Sequence, residues 1–195
     1  MKTIVAFDFD GTLTTKNSLF IFLFYIFGYK KVLLGVFVNS ISIVKMFLKV
    51  KSAHKTKEDF LSFFIKGLTK KKITRMSSEF CKDKLPLIIR KEAYDKMLWH
   101  KTKNHEIVII SASPEDWILP WANLNNVKVI GTKLLVKNNL ITGRFSSKNC
   151  IKEEKVNRLL EMFPNKEFYY LYAYGDSRGD LELLNFADKS FYKSF

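Results

Sequence analysis

The chain has 195 residues, 47% of them hydrophobic, which suffices for one well-packed unit with an insertion and excludes two large independent domains. The formal net charge is +14, yet only five of the 33 basic residues are Arg and the Lys are scattered, so we expect a solvated basic surface and no nucleic-acid partner. The two Cys are far apart and in no CxxC spacing, which argues against a disulfide framework or a zinc site and favours a reducing, cytoplasmic setting.

Short apolar runs that stop at turn residues predict buried strands at 3–9, 106–111, 127–131 and 168–175. The first run begins directly after Met-Lys, without the cleavage pattern of a secretory signal. Helical patterns occupy 91–103, 114–125 and 151–163, and 133–145 predicts a hairpin that turns at Asn138-Asn139. Strands that alternate with helices predict an α/β fold, a parallel sheet with helices on both faces.

Residues 17–90 contain no convincing strand and predict a helical insertion. We therefore divide the chain into a catalytic core, residues 1–16 and 91–195, and a helical cap subdomain, residues 17–90. Residues 19–27 are apolar on every side, so a helix there must be buried all round or face lipid. Polar residues at 31, 35, 39, 42, 45 and 49 follow helical spacing, which predicts one apolar helix with a narrow polar stripe.

Neither apolar stretch of the cap is predicted to span a membrane by itself. Spanning takes about 20 predominantly apolar residues, and here Lys30-Lys31 and polar groups interrupt the run. One interpretation is a cap that simply packs on the core. The other is a cap whose apolar face lies against the inner face of an anionic membrane, helped by flanking Lys, or receives an acyl chain.

Carboxylates follow the first and the last predicted strands. Asp8 and Asp10 belong to the segment DFDGTLT, and Asp176 and Asp180 to GDSRGD. Positions two apart in an extended strand face the same way, so Asp8 and Asp10 should project toward the carboxyl edge of the sheet, where open α/β sheets bind ligands. Carboxylates held so close need a cation, and Mg²⁺ prefers oxygen ligands. The pattern predicts a magnesium site that Asp176 completes.

Ser111 closes the second strand, and with the backbone amide of Ala112 it predicts a phosphate-holding turn at the start of the next helix. Ser113-Pro114 has the pattern of a helix cap followed by Pro at the first helical position. Ser111 could also serve only as a cap of that helix.

A Lys on the helix after the hairpin can bring a positive charge to the same edge of the sheet. We favour Lys155, because a helix interior holds a side chain better than a loop does. Lys148 and Lys152 are the rival candidates.

These pieces, in this order, resemble the four motifs of the haloacid dehalogenase (HAD) superfamily: DxD, a strand-terminal Ser or Thr, a Lys and GDxxxD. The resemblance covers nearly the whole chain and implies a HAD-type phosphoric monoester hydrolase that uses Mg²⁺. It implies that Asp8 forms an aspartyl-phosphate, and that Asp10 acts as general acid and then general base while its backbone carbonyl ligates the metal. The implied roles are catalysis for Asp8, Asp10 and Lys155; phosphate binding for Gly11, Ser111, Ala112 and Lys155; metal binding for Asp8, Asp10 and Asp176; and support from Thr12, Ser177 and Asp180, the last by holding Lys155.

A helical insertion after the first motif resembles the cap of subfamily IB, the branch that includes phosphoserine phosphatase. This chain has Asn17 where those enzymes place a Glu, and Leu61 where they place a cap Arg, which counts against phosphoserine as the substrate. The apolar cap is similar to that of the C-type phosphatidylglycerophosphate phosphatases. We therefore expect a small phosphorylated metabolite or a lipid phosphate as substrate. The alternative function is a membrane-peripheral lipid- or phosphate-binding module with little turnover.

Overall fold

The computed structural model describes residues 2–195 and contains a five-stranded parallel sheet and a separate antiparallel hairpin. The sheet order is β3-β2-β1-β6-β7, and the hairpin pairs β4 with β5. The strands are β1 (Lys2–Phe7), β2 (Glu106–Pro114), β3 (Lys128–Thr132), β4 (Leu134–Lys137), β5 (Leu140–Phe145), β6 (Tyr169–Gly175) and β7 (Lys189–Tyr192).

Eight helices accompany these strands in the described part of the chain. They are α1 (Ser18–Val38), α2 (Ser40–Phe47), α3 (Ala53–Ile65), α4 (Lys70–Asp83), α5 (Lys91–Thr102), α6 (Leu119–Leu124), α7 (Glu153–Met162) and α8 (Leu181–Phe186). The predicted α/β fold with a parallel sheet flanked by helices is confirmed.

Both faces of the sheet are buried, as the alternation along β1 shows. Val5 and Phe7 point into the larger hydrophobic cluster, which includes residues of α1, α3 to α6 and the hairpin. Ile4 and Ala6 point to the opposite face, where they join Leu159 of α7 and residues of α8. Because successive side chains of a strand face opposite ways, a strand buried on both sides must be apolar at every position. This is why the run that forms β1 is continuous rather than alternating.

The helix predicted at 114–125 is wrong in its extent. Strand β2 continues through Pro114, which pairs with Thr132, and a 3-10 turn at Glu115–Trp117 comes before the six-residue α6. Pro120 lies in the first turn of α6. In a helix that began at residue 114, the ring of Pro120 would clash with the carbonyl of Asp116, one turn earlier. The expected helix cap at Ser113-Pro114 is therefore absent.

The hairpin agrees with its prediction. Asn138 and Asn139 lie between β4 and β5 with φ of 47° and 60°. A type I′ turn, whose twist matches that of a hairpin, needs positive φ at both of its central residues. Asn tolerates this conformation better than most residues do.

The predicted single helix with a polar stripe is two helices. Gly28 has φ 76° and interrupts α1, and Asn39 ends it, with backbone N–H and side-chain amide both donating to the carbonyl of Gly35. Gly35 itself lies against α3, where a Cβ would come within 2.4 Å of the Phe64 ring. The spacing of Gly35 and Asn39 thus reflects a close helix contact and a helix end, not a solvated stripe.

By length and composition alone, α1 could cross a membrane, which differs from the expectation drawn from Lys30-Lys31. A core helix or a signal sequence near the N-terminus can have the same properties. The buried ring of Phe22 stacks on Trp117, so the first half of α1 packs in the protein core. The break at Gly28 separates this half from the rest of the helix.

Candidate active site

The carboxyl ends of β1 and β6, which are neighbours in the sheet, place two aspartates at one edge. Phe7 pairs with Tyr174, and the backbone N–H of Asp8 donates to the Tyr174 carbonyl at 2.9 Å. Asp176 lies just beyond Gly175, the last residue of β6. The sequence predicted this meeting because strands of a parallel sheet end at the same edge.

Lys155 is the positive charge at this edge. Its side chain is 2% exposed, and its Nζ lies 2.5 Å from Asp8 Oδ1. The same ammonium also donates to Asp180 and, at 2.9 Å, to the carbonyl of Ile110. Three acceptors for three N–H donors leave the buried ammonium fully paired.

Asp180 holds this arrangement in place from the other side. Its Oδ2 accepts hydrogen bonds from the Ser177 backbone N–H at 2.9 Å and from the Ser177 hydroxyl at 2.6 Å. The backbone N–H of Asp176 donates to the same oxygen at 3.3 Å. Asp180 thus links the turn after β6 to Lys155, which is the supporting role that the resemblance implied for it and for Ser177.

Burial and charge act together on the ionisation of these groups. Burial raises the pKa of Asp8 to about 7, although the ammonium of Lys155 opposes this rise. Burial by itself would lower the pKa of Lys155, but the carboxylates of Asp8 and Asp180 raise it above its ordinary value. Burial likewise raises the pKa of Asp176. Removal from water is thus the main cause of the raised pKa of Asp8 and of the partly buried Asp176, and a cation bound between them would favour their ionised forms.

The donor set fits a divalent cation. Asp8, Asp176 and Asp180 each offer a carboxylate oxygen, and these oxygens lie within 4.8 Å of one another. Three carboxylates against the single charge of Lys155 leave a formal charge of −2, which a divalent cation would balance. Because both oxygens of Asp180 accept hydrogen bonds, the side chains of Asp8 and Asp176 are the better ligands, and hard carboxylate oxygens suit Mg²⁺.

Gly11 lets the loop after β1 approach this cluster. Its φ is +96°, and a Cβ there would lie 2.4 Å from Asp176 Oδ2. The next residue, Thr12, donates its hydroxyl to Asp176 Oδ1 at 3.2 Å. Only glycine combines this backbone conformation with this closeness.

Asp10 turns its carboxylate toward the start of α1. Its Oδ1 accepts the backbone N–H of Ser18 at 2.6 Å, and its Oδ2 accepts the hydroxyl of Ser113 at 2.5 Å. It is not one of the three residues whose carboxylate oxygens cluster. Asp8 and Asp10 therefore share the edge of the sheet, but their carboxylates bind different partners.

A family model for haloacid dehalogenase-like hydrolases matches residues 5–185. The chain belongs to this family. It is 33% identical over 194 residues to Protein CicA of Caulobacter vibrioides, in an alignment that covers 98% of this chain and 86% of that protein.

Solved structures show the same fold at low sequence identity. A Bordetella pertussis Tohama I protein of unknown function is 20% identical, with a TM-score of 0.83, and the match covers 97% of this chain and 89% of that one. A phosphoserine phosphohydrolase-like protein from Francisella tularensis subsp. tularensis SCHU S4 is 21% identical, with a TM-score of 0.64 and coverage of 97% and 86%.

The segment 111–113 of this HAD-like hydrolase differs from its prediction in geometry. Ser111 is buried, and its hydroxyl accepts a hydrogen bond from the backbone N–H of Ser113. The carbonyl of Ala112 accepts a hydrogen bond from the Thr132 hydroxyl at 2.7 Å. Because β2 continues to Pro114, no helix begins here, and the predicted helix-start amides are absent. What the segment offers at the sheet edge is the hydroxyl of Ser111 and the strand amides around it.

The three candidate lysines of this HAD-like hydrolase occupy very different places. Lys155 contacts Asp8, whereas Lys148 and Lys152 are exposed. The geometry therefore favours Lys155, rather than Lys148 or Lys152, as the cation beside Asp8.

Two polar side chains at the site were missed from the sequence. Ser113 contacts Asp10, as described above. The ammonium of Lys57, in α3, donates a hydrogen bond to the Ala112 carbonyl at 2.7 Å, and burial lowers the pKa of Lys57 to about 8. Lys57 lies in no motif and reaches the site only through the packing of α3, so spacing alone carries no signal for it.

Proposed function

We propose that this HAD-like hydrolase is a Mg²⁺-dependent phosphatase that hydrolyses a phosphomonoester through an aspartyl-phosphate on Asp8. The observation that carries the proposal is the contact of the buried Lys155 with two carboxylates. It pairs with Asp8, the proposed nucleophile, and with Asp180, which holds the ammonium in place. Such an ammonium neutralises the charge on the nucleophile and on the phosphoryl oxygens that approach it.

In the first step, Asp8 attacks phosphorus with the carboxylate oxygen that Lys155 does not hold. The P–O bond to the leaving group breaks, and the departing oxygen takes a proton from the carboxyl of Asp10. Ser113 and the Ser18 amide fix the orientation of Asp10 for this transfer. A positioned acid of this kind typically contributes a factor of about 10² to 10⁴.

In the second step, Asp10, now a carboxylate, removes a proton from a water molecule whose oxygen attacks phosphorus. The bond between Asp8 and phosphorus breaks and inorganic phosphate leaves, which restores Asp8 as a carboxylate and Asp10 as an acid. The covalent intermediate divides one difficult displacement into two easier ones.

Asp8 and Asp176, with the backbone carbonyl of Asp10, would hold the Mg²⁺. When bound, the ion supplies positive charge to the phosphoryl oxygens and to the crowded carboxylates. Ser111, Gly11 and the Ala112 amide would bind the remaining phosphoryl oxygens.

The cap supports a substrate other than phosphoserine, within the subfamily IB branch that the motifs resemble. Asn17 accepts the backbone N–H of Phe20 and caps α1, and Leu61 is fully buried. Neither residue carries a charge that could balance the amine or the carboxylate of a zwitterion. We propose a small phosphorylated metabolite or a lipid phosphate, in line with the similarity to the C-type phosphatidylglycerophosphate phosphatases.

The activity is tested by hydrolysis of p-nitrophenyl phosphate with Mg²⁺. Asp8→Asn should lower kcat by several orders of magnitude, whereas Asp95→Asn, an exposed aspartate of α5, should match the wild type. Asp95 is a matched control because its substitution also removes one negative charge. An inactive wild-type protein that still binds phosphate compounds would replace this proposal with the membrane-peripheral binding module.

We also propose that the protein is cytoplasmic and contacts an anionic membrane through the second half of α1 and through α2. Large apolar side chains are exposed there, among them Phe37 and Phe47, each 76% exposed, with Lys30, Lys31, Lys45 and Lys49 nearby in sequence. Peripheral helices bind an anionic bilayer by burying apolar side chains in it and by placing flanking basic side chains near its negatively charged headgroups.

Co-sedimentation with anionic vesicles tests this contact. Phe37→Ser should weaken binding by about 10- to 100-fold, since burying a Phe side chain contributes about 1.5–3 kcal/mol. Phe168→Ser, which removes a side chain that is 68% exposed outside the helices, should leave binding unchanged. Absence of co-sedimentation at low as well as high salt would refute the membrane contact.

A further inference from the structure

A cavity of about 420 Å³ lies between the first three helices. Its walls are mostly carbon: Leu19 and Val36 of α1, Ile43 and Phe47 of α2, and Phe60 of α3 line it. A volume of this size is within the range of small-molecule sites, which are largely apolar with a few placed polar groups.

The cavity borders the catalytic edge, because two parts of its wall lie beside residues that contact that edge. Leu19 in its wall directly follows Ser18, whose backbone N–H holds Asp10. Lys57, which also lines the cavity, donates to the carbonyl of Ala112 between Ser111 and Ser113. A ligand that fills the cavity would therefore have one end beside the reacting groups.

Lys57 is an incompletely paired cation at this junction. An ammonium has three N–H donors, and in residues 2–195 the Ala112 carbonyl is its one hydrogen-bond acceptor. The remaining donors are free for an anionic oxygen. The Asp10 carboxylate acts electrostatically on this partly buried ammonium but makes no ion pair with it, so an anionic oxygen of a ligand would complete its pairing.

We infer that the cavity binds an unbranched apolar chain carried by the phosphomonoester substrate, and that Lys57 binds an oxygen of its phosphate. This inference rests on the proposed phosphatase function and gives the cap its part in it. The apolar walls select the chain, and the ammonium positions the charged head at the edge of the sheet where Asp8 lies. The substrate class is then an alkyl or acyl-chain phosphate.

Binding of n-alkylphosphonates from ethyl to octyl, measured by calorimetry with Mg²⁺ present, tests the inference without turnover, because their C–P bond is not an ester. Each buried methylene should lower Kd by about fourfold, the equivalent of about 0.8 kcal/mol, until the cavity is full. Hydrolysis of the matching alkyl phosphates should show the same rise in kcat/KM.

Two matched pairs of variants separate the roles of wall and charge. Val36→Phe fills the cavity and should abolish the gain in affinity with chain length. Val38→Phe changes an exposed position two residues further along α1 and should keep that gain. Lys57→Met should weaken every member of the series by about tenfold with the chain-length slope unchanged, as expected for one charge-assisted hydrogen bond. The exposed Lys55→Met should bind like the wild type.

The outcomes distinguish this inference from the proposed function. Hydrolysis of p-nitrophenyl phosphate together with a Kd that does not depend on chain length would overturn the cavity assignment and leave the phosphatase standing. Chain-length dependence that survives Val36→Phe would overturn it as well. Hydrolysis of phosphatidate in vesicles, besides the soluble series, would support the inference and identify the bilayer as the source of the chain.

Discussion

Replacing Lys155 by Met removes the charge that joins the two halves of the site, and it should cost both stability and activity. The methionine side chain keeps most of the volume, so the main change is electrostatic. Asp8 and Asp180 then face each other with no cation between them, and the carbonyl of Ile110 loses its donor.

The magnitude follows from the burial of the group. Two unit charges about 4 Å apart attract by about 4 kcal/mol at an effective dielectric constant of about 20, and the ammonium of Lys155 lies within this distance of two carboxylates, each 2.5 Å away. Dehydration of the ammonium offsets several kcal/mol of this attraction. Removing one partner of a buried ion pair typically destabilises by about 3–5 kcal/mol, so we expect Tm to fall by about 10 °C at roughly 2–4 °C per kcal/mol for a chain of this size.

The loss should depend on pH with a defined sign. The pKa of Asp8 is already raised to about 7 by burial, and without Lys155 it rises further. A carboxyl whose folded pKa lies above its unfolded value destabilises the fold when pH exceeds the folded pKa, and this cost disappears as pH falls toward about 4. The stability deficit of Lys155→Met in Mg²⁺-free buffer should therefore be largest above pH 7 and shrink in acid.

Thermal denaturation across pH and hydrolysis of p-nitrophenyl phosphate are the assays. We expect kcat to fall by about 10² to 10³, in the range measured when one transition-state partner is lost. Lys148→Met and Lys152→Met are matched controls, because both side chains are exposed and both should behave like the wild type. A stable, active Lys155→Met protein, or an inactive Lys148 or Lys152 variant, would refute the assignment of Lys155.

Three further results are expected. Mg²⁺ at 100 times its Kd should raise the free energy of unfolding by about 2.7 kcal/mol. The Asp176→Asn variant should lose most of this stabilisation. If calorimetry shows equal Mg²⁺ stabilisation of the wild type and the variant, Asp176 is not a ligand. In urea unfolding, Gly11→Ala should lower the free energy of unfolding more than Gly67→Ala does. Both residues have positive φ, but only a Cβ at Gly11 would meet another group, the Asp176 carboxylate. Equal losses of stability would mean that this close contact is unimportant. Burial lowers the pKa of His100, which is 0% exposed, to about 4. The contribution of neutral His100 to stability should therefore be fully present above pH 6.5 and be lost by up to about 3 kcal/mol as pH drops toward 4. A His100→Leu protein with the same pH slope in thermal denaturation would contradict this.

The strands that carry the chemistry could be predicted because their signals are local. A continuous apolar run followed by Asp-Gly is enough to place Asp8 at the end of β1, and the run before Asp176 works in the same way. The edge strand β7 has four residues, KSFY, half of them polar. It was not predicted, since a short strand paired on one side needs no continuous apolar run.

Contacts between distant segments could not be predicted from local patterns. Ser113 was interpreted as a helix cap because Ser-Pro has that meaning in isolation. In the structure its hydroxyl binds Asp10, 103 residues earlier in the chain. The pairing of Pro114 with Thr132 keeps Ser113 in a strand, and this pairing depends on the sheet rather than on the dipeptide.

The end of α1 at Asn39 also could not be predicted from local patterns, and it affects the proposed substrate site. Helical spacing of the polar residues was equally consistent with one continuous helix, in which Asn39 would be one more polar position. Instead, the Asn39 amide donates to the Gly35 carbonyl at 2.9 Å and the chain starts a new helix at Ser40. Side-chain bonds of Asn to nearby backbone commonly compete with helix continuation. Because α2 then lies beside α3 rather than extending away from it, Ile43 and Phe47 close the cavity next to Lys57. The shape of the proposed substrate site thus depends on where one helix stops, which the spacing of polar residues did not reveal.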